Sequence, residues 1–256
     1  MKLDKNVVRQ WATLLSILAA FFTNVLANIS PINGLTIGEI SNEIFKDVLI
    51  TPKSYAFAIW GLIYLGLISL GVYQAFPKNR NNDYLQKIGY YLVISSLAQI
   101  VWVFLFLSRL FVLSTVALVA IFIPLVLVYL ELNISLKYRA KQHKWLVNFP
   151  ISVYFAWITV ATILNVASAL YWIEWNGFGL SDVVWTTIMI IVAAIVGIFI
   201  RVTRQDKVYC GVFIWALVAI MMRHLDTLPI AVTSGICAFI LGAMMFLNFR
   251  EKIEYK

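Results

Sequence analysis

Charge is what this sequence has least of. Asp, Glu, Lys and Arg make up 12% of its 256 residues, against about 25% in an ordinary soluble domain. Together with 62% hydrophobic residues and a mean hydropathy of +0.89, that scarcity excludes a water-soluble globule with a polar shell. Cysteine is nearly absent: Cys210 and Cys237 are the only two, and they fall in different apolar stretches. A disulfide scaffold is thereby excluded, and both read as small buried hydrophobes. Inside the apolar stretches proline occurs only at Pro124 and Pro150, little sign of the broken helices that transporters use. No phosphate-cradling glycine loop, metal-ligand spacing or nucleophile–base signature occurs, so no metal, catalytic residue or built-in cofactor is assigned.

What is there is a succession of continuous apolar runs. Barrel strands would alternate apolar and polar residues, so the runs predict a polytopic all-α membrane protein. Eight spans are expected, at residues 12–30, 54–76, 88–108, 111–135, 147–172, 182–201, 208–225 and 229–249, each near the ~20 residues that cross a bilayer. Ser108-Arg109 is the only break between the third and fourth. Of the twenty Lys and Arg residues, sixteen fall at the N-terminus, in alternate loops and at the C-terminus. Only Lys46, Lys53, Arg109 and Arg223 fall on the other side. That alternation predicts an even span count with both termini cytoplasmic, in a bacterial inner membrane. The net charge of +8 thus belongs to one membrane face and implies no nucleic acid. Lys2, Lys5 and Arg9 precede a run from Ala12 to Ile29 that is longer than a signal-peptide core. With Asn24 and Asn28 within it, it reads as a retained helix.

Polar and aromatic residues gather on narrow helical faces. Trp157, Ala161, Asn165, Ser168 and Trp172 share one face of the fifth span. Phe57, Trp60, Tyr64 and Gly71 fall within about 60° of one another on the second, and Ser95, Gln99, Trp102 and Phe106 do so on the third. An amide in hydrocarbon needs a partner on another helix or in a ligand. Helix packing alone also accounts for such stripes. By depth, Trp60, Trp102 and Trp157 are placed to line one pocket in the outer half of the membrane, suited to a large planar hydrophobic molecule. Above it runs the one long outer loop, SPINGLTIGEISNEIFKDVLITPK. Ile37, Ile40, Ile44, Phe45 and Val48 recur there at helical spacing, as in a lid or a helix lying on the membrane.

Three motifs resemble the TspO/MBR family, the tryptophan-rich sensory and translocator proteins. The first is Pro52 and Tyr55 followed by Ile59-Trp60-Gly61-Leu62-Ile63-Tyr64. The second is Gln99, Trp102 and Phe106, with Gln99 where the family usually has Asn. The third is Tyr154, Trp157, Ala161, Thr162 and Asn165, with the neighbouring proline displaced to Pro150. The resemblance covers roughly residues 10–172 and implies a five-helix bundle whose cavity is covered by the loop after the first helix. It also implies binding of tetrapyrroles, sterol-like lipids or isoquinoline-type drugs. Carried onto this chain, the ligand-binding positions are Tyr55, Phe57, Trp60, Tyr64, Gln99, Trp102, Phe106, Trp157, Ala161 and Asn165.

The division expected is a five-helix unit over 1–175 and a three-helix extension over 176–256 with a short basic tail. Trp172, Trp175 and Trp185 read as an outer aromatic belt, Trp11 and Trp145 as an inner one. Arg223, His224 and Asp226 read as an interfacial cluster, and Glu131 as paired or snorkelling. The function this implies is a receptor or sensor that binds a tetrapyrrole, porphyrin or haem-type molecule, or a sterol-like lipid, and that transports it in one variant of the reading. A secondary transporter of a small hydrophobic or amphipathic metabolite is the alternative. The reading is of a non-enzyme, with a pigment-degrading side activity left open. Its partners are the hydrophobic ligand, the lipid bilayer and, as an open option, a second copy in a homodimer.

Overall fold

The computed structural model describes residues 4–247. Lys2, Arg250, Lys252 and Lys256 of the charge count, and the end of the eighth span, lie outside the described residues. The described chain is helical without strands. Its long helices are α1 (Lys5–Ile29), α2 (Ile59–Ala75), α3 (Tyr91–Leu107), α4 (Phe111–Glu131), α5 (Phe149–Trp172), α6 (Asp182–Arg204), α7 (Lys207–Arg223) and α8 (Leu228–Met244). Six of the helical segments are long and apolar enough to cross a membrane. The other two, α7 and α8, have 17 residues each, the lower end of the ~17–25 a span needs.

One boundary differs from expectation for a local reason. α1 begins seven residues before the expected start, because Asp4 caps it by accepting from the Asn6 amide at 2.9 Å. Arg9 and Gln10, polar enough to look extramembranous, are buried against α2 and the segment before α3. Arg9 donates to the Leu85 carbonyl at 3.1 Å, and Gln74 donates to the Gln10 carbonyl at 2.7 Å while Gln10 donates back to that of Gln74. At the other end of the sequence gap, α3 and α4 join as tightly as the break at Ser108-Arg109 required. Arg109 takes a left-handed φ of 60°. Its amide donates to the Phe106 carbonyl and that of Leu110 to the Leu105 carbonyl, the two bonds of a Schellman ending.

The first five helices close on themselves. α1 lies against α2 and α3, α3 against α4, α4 against α5, and α5 back against α2. α5 is central: every residue from Pro150 to Val160 is buried. Gly66 of α2 permits the α2–α5 approach, since a Cβ there would stand 3.1 Å from Cβ of Pro150. Small residues at such crossings let membrane helices pack by contact alone. α7 packs on the outer flank of α5, and α6 and α8 pack on α7. Outward-facing apolar side chains such as Phe22, Val116, Phe199 and Phe239 are exposed, as lipid-facing residues are.

The two ends of the bundle have distinct chemistry. At the basic end Arg80 pairs with Asp4 at 3.7 Å and Lys87 with Glu131 at 3.4 Å, so Glu131 is paired as expected. The Arg139 guanidinium lies 4.2 Å from the Tyr84 ring centroid. At that same end Asp206, the N-cap of α7, is buried. Its Oδ1 accepts from the amides of Val208 and Tyr209. Its Oδ2 accepts from the Ser152 hydroxyl of α5 at 2.7 Å and the Tyr129 hydroxyl of α4 at 2.9 Å.

At the opposite end the long loop packs down onto the bundle instead of lying on the membrane. A capping box between Thr36 and Glu39 starts its short helix, and the Thr36 amide holds the Glu39 carboxyl below its usual range. Ile40 and Phe45 are both 1% exposed; the Phe45 ring meets that of Phe111 at 4.6 Å. The loop is fastened to α7 as well: the Lys53 amide donates to the Ala219 carbonyl at 3.0 Å. Arg223 donates to Asn42 Oδ1 at 3.1 Å and to the Pro52 carbonyl at 3.3 Å. The interfacial cluster at Arg223 is therefore a latch on the loop. Beside it His224 is buried, and that burial, with the Arg223 charge, holds it below the ordinary histidine range.

Candidate functional site

A five-residue 3₁₀ turn, Ser54–Ala58, delivers the chain into α2, and α2 turns Trp60 and Tyr64 toward the interior of the ring. The Trp60 ring stacks on Tyr64 at 5.7 Å and on Trp102 of α3 at 6.5 Å, and meets Tyr154 of α5 edge-on at 6.4 Å. Trp102 in turn stacks on Phe106 at 5.2 Å. Four of the sequence-predicted residues thus form one aromatic column from α2 to α3. Trp157 makes no ring contact with the column; its ring is met edge-on by Phe57 at 6.2 Å. Tyr55 stands apart, against Trp215 of α7 at 5.0 Å, where the Trp215 indole donates to the Ala56 carbonyl at 3.0 Å. Ala161 is half-buried at the core's edge.

The polar members divide into satisfied and unsatisfied groups. Asn165 is satisfied throughout. Its Oδ1 accepts from the Trp102 indole at 3.0 Å, and its Nδ2 donates to Ser114 Oγ at 2.9 Å, Thr115 Oγ1 at 2.7 Å and the Phe111 carbonyl at 3.3 Å. That amide ties α5 to α3 and α4. Gln99 is 1% exposed; its Oε1 accepts a 3.4 Å bond from the Tyr154 hydroxyl, while its Nε2 has no partner. The Trp157 indole N–H, also buried, has none either. Tyr154, noted in the sequence as part of a motif but not carried as a site residue, stands between Trp60 and Gln99. Its signal was its place one turn before Trp157.

A second feature lies under the loop on the far side of α5. A cavity of about 820 Å³ opens between the C-terminal end of α5, the start of α6 and loop residues Asp47–Ile50. None of the ten predicted positions lines it. Trp172, Trp175 and Trp185, expected as belt residues at this interface, do line it, and Trp175 and Trp185 pack ring to ring at 5.1 Å. Sequence reasoning missed it because a tryptophan at a helix end signals an interface whether or not a cavity lies behind it.

A family model described as "TSPO-like protein" matches residues 10–247. The match runs on through α6, α7 and α8. No curated protein matches the chain, and no solved structure does.

Proposed function

The chain belongs to the TSPO-like family, and from that footing we propose that it is a receptor- or sensor-type membrane protein for a large planar hydrophobic molecule of tetrapyrrole or sterol-like shape. The proposed site is the aromatic column, with Trp60, Gln99, Trp102, Tyr154 and Trp157 in contact with the ligand. One observation carries this reading: two buried N–H groups are unpartnered, one on Gln99, which Tyr154 links to the column, and one on Trp157, which Phe57 meets edge-on. A buried donor left unsatisfied costs about 1–3 kcal/mol. A ligand acceptor would recover that cost, and the rings would supply offset stacking for its plane. Asn165 is assigned a positioning role, since its amide is already saturated and holds the Trp102 indole in place.

Titrating the purified protein with a porphyrin, followed by absorbance and tryptophan fluorescence, tests the site. Gln99→Leu should weaken affinity about tenfold, as one lost hydrogen bond of about 1.4 kcal/mol is a decade. Its melting temperature should change little, because removing the orphaned Gln99 Nε2 offsets the loss of the long 3.4 Å bond from the Tyr154 hydroxyl. Parent-like affinity in both Gln99→Leu and Trp157→Phe would overturn the assignment.

The protein is an integral, multi-pass membrane protein. We place the basic end on the cytoplasmic face of a bacterial inner membrane, on the sixteen-to-four division of Lys and Arg. Cysteine labelling should then reach positions near Lys141 only from the cytoplasmic side and positions near Asn33 only from outside. The reverse pattern would reject this orientation.

A further inference from the structure

The cavity beyond α5 has a chemistry opposite to that of the aromatic column. The column offers hydrogen-bond donors; the cavity offers acceptors and negative charge. Asp47, Glu174 and Asp182 line it, and no Lys or Arg does. All three carboxylates are exposed at its mouth. Among the described residues the two ion pairs are both at the opposite end of the bundle, so none of the three is neutralised there. Asp47 accepts only a 3.4 Å bond from the Tyr171 hydroxyl.

The fold holds these groups in place. α5 ends in a Schellman turn, with Glu174 at φ 54° and the Trp175 amide donating to the Leu170 carbonyl; this sets Glu174 beside Trp175 at the mouth. The chain then passes Gly177, at φ 62°. A Cβ there would stand 2.9 Å from Cδ1 of Trp185, and the Gly177 carbonyl accepts from the Trp185 indole. A glycine is therefore required for Trp185 to sit this close to the turn, where its ring packs tilted against that of Trp175. Below the rings the lining is apolar, with Ile163, Ala167 and Met189.

We propose that this cavity is a second binding site, for a soluble amphipathic organic cation such as a quaternary ammonium or phosphonium. The positive centre would sit between the three carboxylates and the indole faces, where cation–π attraction adds to charge. The apolar part would extend down toward Ala167 and Met189. A choline lipid headgroup shares the cationic group, but its phosphate would have to approach the same carboxylates, which repel it. The site shares no residue with the aromatic column and rests on independent observations.

Tetraphenylphosphonium and tetraphenylborate, nearly equal in shape and opposite in charge, test this on the full chain in maltoside detergent, by equilibrium dialysis and tryptophan quenching. The phosphonium should bind saturably and the borate at least tenfold more weakly. Neutralising the mouth together, D47N, E174Q and D182N, should weaken phosphonium binding tenfold or more. Ala167→Phe, which fills the floor without touching the charges, should abolish it. Gln99→Leu should leave it unchanged, so a failure here is separable from a failure of porphyrin binding. Equal binding of the two ions, parent-like binding by the neutralised and Ala167→Phe variants, or displacement of the phosphonium by phosphatidylcholine would each overturn the proposal.

Discussion

Asp206→Ala should lower the melting temperature of the detergent-solubilised protein by about 10 °C or more. The carboxylate is the acceptor for four donors from three helices. Losing the cap of α7 costs about 1 kcal/mol. Leaving the Tyr129 and Ser152 hydroxyls buried without their acceptor costs about 1–3 kcal/mol each. The sum is about 3–7 kcal/mol, and a chain of this size loses roughly 2–4 °C per kcal/mol. Asp206→Asn keeps one acceptor oxygen and should fall between parent and alanine. Tyr129→Phe with Ser152→Ala removes both orphaned donors, so adding that pair to Asp206→Ala should restore part of the loss. A shift of only about 2 °C in Asp206→Ala would show that α7 is held to α4 and α5 by packing alone.

Asn165→Leu is expected to cost nearly as much, by a different route. Leucine fits the apolar surroundings but strands the Trp102 indole N–H and returns the Ser114 and Thr115 hydroxyls to their own helix, where both already donate to the Phe111 carbonyl. Side-chain hydrogen bonds between membrane helices average about 0.6 kcal/mol and reach about 1.7. Three or four lost together therefore predict about 2–4 kcal/mol, and a melting point lower by about 5–10 °C. Porphyrin affinity should fall by less than the tenfold expected for Gln99→Leu, through displacement of Trp102. A stability change near zero with a large loss of affinity would reverse the roles assigned to these two amides.

How far the sequence carried this picture depends on the range of the interaction. Continuous apolar runs are local, so the spans and even the tight α3–α4 join were legible. Period and depth together marked the Trp60, Gln99 and Trp102 faces, because a helix in lipid hides its polar residues on one side. The same reasoning could not tell a saturated amide from an orphaned one. Asn165 and Gln99 sit on similar stripes, and only the neighbours on α4, chosen by packing, separate them. Nothing in the sequence singles out Asp206: it stands alone in a short loop, and the hydroxyls that meet it come from α4 and α5. The role of α7 was hidden for that reason. Its bonds to the loop and to the core are made by backbone carbonyls and single side chains that leave no period in the sequence.

The latch at Arg223 also sets an order on biosynthesis. Asn42 and Arg223 are 181 residues apart, and at about 5–20 residues per second the ribosome needs roughly ten to forty seconds to cover that distance. For that interval the loop has been made but the helix that fastens it has not. The hydroxyls of Tyr129 and Ser152 wait likewise for Asp206. The nascent five-helix ring must therefore persist in the bilayer on its own contacts, the Asn165 amide and the stacked indoles among them, with its loop held only by packing such as Phe45 on Phe111 until α7 is inserted.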